Sequence, residues 1–161
     1  MATISNVLVG VATLSFKYPV GGAYVEVGYT EDGVTFEYTA DEADIMVEEE
    51  TFPINRVLTK ETIAVRCNMA EASLANIDKA IAGSVFTPNT LTIGGMVNKQ
   101  MSIKIVGKNP AGFNRTVTIG LATATGSVGI PYKKGEKRVV PVAFQALKGA
   151  GDVCTIVDST S

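Results

Sequence analysis

The chain predicts a mainly β fold, a β-sandwich or barrel with one flanking α-helix and a long early inter-strand loop. Three observations predict it. Apolar and polar residues alternate with period two in AYVEVGY, VTFEY, MSIKIVGK and KRVVPVAFQAL. Turn-forming clusters, PVGG, TEDG and NPAG among them, punctuate those runs. A helical period is confined to one stretch, 70–82, within TKETIAVRCNMAEASLANIDKAIAG.

Taken in order, residues 1–16 are apolar with Thr and Ser and no charge, and form an N-terminal strand or arm. After PVGG, Val25, Val27 and Tyr29 alternate with Tyr24 and Glu26. The Asp-Gly pair of TEDG (30–33) then predicts a hairpin into VTFEY, with Val34, Phe36 and Tyr38 on one face. Residues 39–56 have the polarity of a long exposed loop, with IMVEEETF able to form a ribbon. In the next strand Ile63, Val65, Cys67 and Met69 alternate with Thr62, Ala64, Arg66 and Asn68, and from Ala70 the spacing turns helical. Asn68 and Glu71 have capping-box spacing, and Gly83 is the stop signal. The stripe Ala70, Leu74, Ile77 and Ile81 predicts a core-facing side, with Leu74, Ile77 and Ile81 buried within the subunit.

Residues 84–95 read mostly as loop, with Leu91 and Ile93 on a short strand. Met101, Ile103 and Ile105 then define one strand face, and after NPAG the next places Val117, Ile119 and Leu121 inward. GSVGIPYKKGE reads as strand, turn and basic hairpin tip. Val140, Val142, Phe144 and Ala146 share a face, with Pro141 pointing to an edge, a bulge or an unpaired N–H direction. DVCTIVD is the last strand. Eight to ten strands and one helix fit a single domain over 1–161.

No apolar run of membrane-spanning length occurs, and no secretory leader pattern is expected at the N-terminus. The two cysteines, Cys67 and Cys154, lie far apart among apolar neighbours and read as buried free thiols. Histidine is absent, which removes the usual zinc sites and the commonest general base. Glu48 and Glu50 would share a strand face, as a carboxylate pair must, but no aromatic wall flanks them and a solvated face explains them better. The glycine-rich segments match neither a P-loop nor a dinucleotide fingerprint. KKGEKR (133–138) is a basic tip more in keeping with a solvated turn or protein contact than with nucleic acid. No enzyme activity and no cofactor are expected.

Charge is unevenly distributed. Residues 18–55 carry ten acids and no base, whereas residues 56–161 carry thirteen bases and six acids. Two accounts stand side by side: acidic hairpins folding on a basic body, or copies associating through complementary patches.

Taken together, SNVLVGVATL with PVGG, GYTEDGVTFEY, the acidic segment ending near Glu50, TKETIAVRCNMAEASLANI and KKGEKRVVPVAFQALKGAGDVCTIVD resemble the major tail tube proteins of long-tailed bacteriophages, in order and over nearly the whole chain. The resemblance implies a β-sandwich or barrel flanked by a helix, and hexameric rings stacked into a tube whose channel passes DNA transiently and non-specifically. It also implies assembly in the host cytoplasm, a virion location and a non-contractile tail. Implied partners are a tape measure protein, a chaperone, a tail terminator and baseplate or distal tail proteins, with no membrane span and no appended immunoglobulin-like domain.

On this sequence, residues 39–56 match the family's long loop, and Glu26, Glu37, Glu48 and Glu50 become candidate lumen or loop acids. Asp41, Glu42, Asp44, Glu49, Phe52, Arg56, Lys133 and Lys134 become candidate inter-ring or inter-subunit contacts. The alternative is a soluble or surface β-sandwich binding carbohydrate or another ligand, which would need an exposed aromatic platform.

Overall fold

Residues 12–95 and 98–160 are described by the computed structural model. The strands are β1 (Thr13–Lys17), β2 (Tyr24–Glu26), β3 (Thr30–Ile45), β4 (Asn55–Met69), β5 (Ser84–Thr87), β6 (Thr90–Ile93), β7 (Gln100–Lys108), β8 (Asn114–Thr125), β9 (Val140–Ala146) and β10 (Cys154–Asp158). The helix is α1 (Leu74–Ala80). One antiparallel sheet runs β2-β1-β7-β8-β9-β4-β3, with β10 also paired to β8, and β5 and β6 form a separate hairpin. Residues 1–11 of the expected N-terminal strand or arm lie outside the described residues.

The period-two pattern fixes which face is dry. Phe16, Ile103, Ile119 and Cys154 align across β1, β7, β8 and β10, and Leu14, Ile105, Val117 and Ile156 form the next row. Three lanes separate β1 from β9, about 14 Å in a flat sheet. The rings of Phe16 and Phe144 nevertheless lie 4.8 Å apart. The sheet is therefore curled over its own core, where Met69, Met101, Val140 and Phe144 are fully buried. It stays open between β2 and β3 among the described residues, a mainly β sandwich-like sheet rather than a closed barrel, flanked by one helix.

Two bulges correct the sequence reading. TEDG does not close a hairpin: Glu31 pairs with Asn68 and Val34 with Cys67, leaving Asp32 and Gly33, both at positive φ, as a bulge inside β3. Its neighbour AYVEVGY pairs instead with β1. A second register shift between Met101 and Ile103 reverses the phase of β8 beyond Ile119. Ala122 and Ala124 turn inward, and Leu121 does not. Pro141 lies opposite Asn68 of β4, beyond the end of the β8 ladder, which stops at Thr125↔Ala143. A missing N–H is tolerated there. The 84–95 segment, read as mostly loop, is a hairpin turning at Pro88 and Asn89, and 126–139 contains no strand.

The helix departs furthest from expectation. It starts at Leu74, capped by Ser73, whose Oγ accepts from Asn76 N at 3.3 Å. Asn68 cannot cap it because the strand continues: Ala70 N still donates to Tyr29 O at 2.8 Å. Glu71 turns aside and accepts from Tyr29 N at 3.2 Å, and the helix ends at Ile81, before Gly83.

Its buried residues are Asn76, Asp78 and Ala80, while Leu74 is 42% exposed and Ile77 is only half-buried against the core. The apolar stripe is thus not the face that closes the core. The polar face wins because each group has a partner. Asn76 Nδ2 donates to Val27 O and Glu71 O, both at 2.9 Å, and Asp78 pairs with Lys99 in the interior.

Candidate assembly surface

The β3–β4 hairpin projects from the body. β9 supports β4 only from Ala64 to Met69, whereas β3 and β4 stay paired with each other out to Ile45↔Asn55. Most of the expected 39–56 excursion is therefore ribbon, with irregular backbone only over 46–54, held by Ile54 N donating to Ile45 O at 2.9 Å. A bulge between Asp41 and Glu42 leaves Thr59 without an opposite residue, and its hydroxyl donates to Asp41 O at 3.0 Å.

Two strands alone are marginal in water, and this pair keeps both outer edges unpaired along the arm. Its apolar side chains are also uncovered: Ile45, Met46, Ile54, Val57 and Leu58 are exposed, and Phe52 is 79% exposed. A projecting apolar tip on an unsupported ribbon is a surface built to be covered.

Charge on the arm is only partly settled within the chain. Arg56 bridges Asp44 at 2.7 Å and Glu42 at 3.1 Å, and these acids raise the guanidinium pKa, the Asp44 hydrogen bond contributing most. At the base, Arg66 holds Glu37 at 2.6 Å, and Lys137 reaches Glu31 at 3.4 Å. Acids of the first segment thus fold on bases of the second. Asp41, Glu48, Glu49 and Glu50 have no ion pair among the described residues. Glu48 and Glu50 lie on the turn at the tip, not on a strand face, so the spacing suggesting a carboxylate pair has no structural counterpart.

Where the arm leaves the sheet it opens a cleft of about 480 Å³. β10 occupies alongside β8 the lane that β9 fills further on, and β4 diverges from it. Tyr38, Glu61 and Ile63 line one side, Val153 and Cys154 the other. Tyr38 donates to Glu61 at 2.7 Å, and that bond raises the phenol's pKa.

On the non-core face, Glu26, Ser15, Lys104, Thr118 and Thr155 form one cross-strand row. Glu37, Ala64, Gln145 and Thr123 form another. This face is rich in hydroxyls, and Lys17, Arg66 and Lys104 offset its acids. The ring of Tyr24 lies beneath two ammoniums, Lys104 at 4.6 Å and Lys17 at 5.0 Å. In the 126–139 segment Lys133 pairs with Glu136 at 3.7 Å, Lys134 is exposed without an ion pair among the described residues, and Arg138 lies 4.7 Å over Tyr132. The candidates therefore fall into three places: the arm, the non-core face and this loop.

Both thiols are free. Burial pushes the pKa of Cys67 up to about 12 and raises that of half-buried Cys154 as well. No group of three or more Cys, His, Asp or Glu suited to a metal occurs among the described residues, and no helix there is long and apolar enough to cross a membrane. Sequence reasoning missed the Asp78–Lys99–Ser84 cluster, whose members lie on α1, on β5 and in the segment entering β7, with no shared motif.

No protein-family model matches the chain, and no curated protein matches it. Among solved structures it is similar to a chain in the tail of an empty GTA particle, refined with C6 symmetry, at TM-score 0.52 and 9% identity. That match covers 92% of this chain and 95% of the other. A chain in the six-fold symmetrised baseplate of the anti-feeding prophage (AFP) aligns at TM-score 0.47 and 10% identity, over 99% of this chain and 94% of that one. The first match shows a shared fold, extending nearly end to end in both chains.

Proposed function

We propose that this chain is a non-enzymatic structural subunit of a phage-like tail, a tube protein whose six-membered rings stack into a hollow channel for DNA. The observation that carries the reading is the unsupported β3–β4 arm with its uncovered apolar tip, on a chain sharing the fold of a C6-symmetric tail component. A monomer gains nothing from exposing Phe52 and Ile54, whereas a repeating assembly covers them once per copy.

In this reading the arm, with Asp41, Glu42, Asp44, Glu49, Phe52 and Arg56, reaches an adjacent subunit or ring. Lys133 and Lys134 offer bases to the unpaired acids Glu48 and Glu50. The non-core face, carrying Glu26 and Glu37, lines the channel. With Lys17, Arg66 and Lys104 on the same face, that wall is not strongly acidic. A tape measure protein, tail terminator and baseplate or distal tail proteins would be the partners at the tube's interior and ends, in a non-contractile virion tail.

The test is particle size. Negative-stain microscopy and sedimentation of the concentrated protein are expected to show rings or hollow filaments. A persistent monomer, stabilised by a carbohydrate or another small ligand, would overturn the proposal in favour of a binding module.

A further inference from the structure

We propose that Lys99 and Asp78 are joined by an intrachain isopeptide bond, formed between the lysine Nζ and the aspartate Cγ. The inference stands on the interior cluster alone and is independent of the tail reading. Lys99 is 3% exposed and Asp78 6%, and Ser84 is fully buried between them. Lys99 Nζ lies against Asp78 Oδ1, one bond from the carboxyl carbon. It also lies 3.0 Å from both Asp78 O and Ser84 Oγ, and Ser84 Oγ is 2.8 Å from Asp78 Oδ1. The Tyr18 ring, 5.6 Å from the ammonium, stands on a further side. Nucleophile, electrophile and a hydroxyl touching both are thus held in reacting order within the core.

The same environment supplies the driving force. A buried ion pair keeps two charges out of water at a large desolvation cost. Transfer of one proton from the ammonium to the carboxylate gives a neutral amine beside a carboxylic acid. The amine lone pair then forms the N–Cγ bond, the carboxyl C–OH bond breaks, and an amine proton passes through the Ser84 hydroxyl to the departing oxygen. One amide and one water result, with no change in net charge and no oxidant, reductant or cofactor.

Holding the groups in contact replaces a bimolecular encounter, the source of high effective molarity, and the departing water is lost to bulk solvent. The product leaves no orphan: the amide N–H can donate to Asp78 O, and the new carbonyl can accept from Ser84 Oγ. The neighbouring Lys79 is not equivalent, since its ammonium donates to Ala75 O at 3.3 Å on the helix surface. The bond would tie α1 to the segment entering β7 across 21 positions, fastening the helix to the sheet it covers.

The experiment is mass spectrometry of the full chain, intact and after trypsin, in denaturant. The expected intact mass is one water below the sequence mass. Cleavage after Lys79 should proceed, cleavage after Lys99 should fail, and fragments 67–79 and 80–104 should remain joined as the major species. Release of an ordinary peptide ending at Lys99 as the major species would overturn the proposal. So would a lost water that maps to the Asp32–Gly33 pair, where succinimide formation gives the same intact mass. Asp78→Asn should form the same link with loss of ammonia instead of water, and Asp78→Ala should free Lys99 for trypsin. If Asp78→Ala fails to fold, the wild-type map still decides.

Discussion

Replacing Phe52 by Ser separates the arm's part in assembly from any part in folding. The ring is 79% exposed at the tip of the hairpin, so its removal takes almost nothing from the isolated subunit's core. A surface change of this kind shifts folding stability by within about 0.5 kcal/mol. Fully covering a Phe side chain contributes about 1.5–3 kcal/mol. With roughly four-fifths of that burial still to be made, docking the tip on a neighbour contributes about 2 kcal/mol per contact. At about 1.4 kcal/mol per decade, each contact weakens roughly thirtyfold in the variant. The concentration needed for assembly rises by a similar factor, since every subunit in a ring loses the same contact. Sedimentation velocity over a dilution series reads that concentration, and thermal unfolding of dispersed protein reads the fold. An unchanged assembly concentration would refute docking through the tip. A fall of several degrees in Tm would show that Phe52 packs within its own subunit.

Phe144→Ala, removing the ring that meets Phe16 at 4.8 Å across the curled sheet, should cost about 3–5 kcal/mol by chemical denaturation. A loss under about 1 kcal/mol would mean that the sheet is not closed over that pair. Asn76→Ala leaves Val27 O and Glu71 O without their donor and should cost about 1–3 kcal/mol, whereas an unchanged denaturation midpoint would show that water replaces the amide without loss. With its pKa pushed up to about 12, Cys67 should resist disulfide reagents at pH 8 in the native protein and react only on unfolding. Equal native reactivity of Cys67 and Cys154 would contradict its burial.

Arg115, chiefly through its hydrogen bonds of 2.6 and 2.7 Å to Asp158, holds that carboxyl below its usual value of 3.8. The folded pKa is the lower one, so the pair's contribution is fully present above the ordinary value and is lost as pH falls through the depressed one. Protection of the β10 amides, their exchange measured against the intrinsic rate at each pH, should therefore fall in acid, and Arg115→Gln should remove most of that pH dependence. Identical profiles for the two proteins would count against the pair.

Most of the sheet was legible because alternation survives wherever one face is dry. Met101, Ile103 and Ile105 on β7, and Val140, Val142 and Phe144 on β9, follow from period two alone. The misreadings cluster at irregularities that local sequence barely marks. An Asp-Gly pair forms a bulge as readily as a turn, and only the β4 partner decides. The reversal in β8 comes from an extra residue of its own, Gly120 and Leu121 facing the single Ser102 of β7, and Gly120 is its one local sign in NRTVTIGLATAT. The helix misled for a different reason. Hydrophobic spacing assumes that polar groups prefer water, but Asn76 and Asp78 have interior partners at Val27 and Lys99, far away in sequence. The arm was visible as a polar excursion, but its extent as paired ribbon rests on Asp41–Ile45 meeting Asn55–Lys60. Its apolar tip acquires meaning only once nothing in the subunit is seen to cover it.

The most direct test of the account is a cryo-electron microscopy reconstruction of the assembled protein. The account predicts six subunits per ring, a central channel lined by the face bearing Glu26, Lys104 and Glu37, and Phe52 buried against a neighbouring copy. A particle without a continuous channel, or one in which that face points outward while the arm stays in solvent, would contradict it.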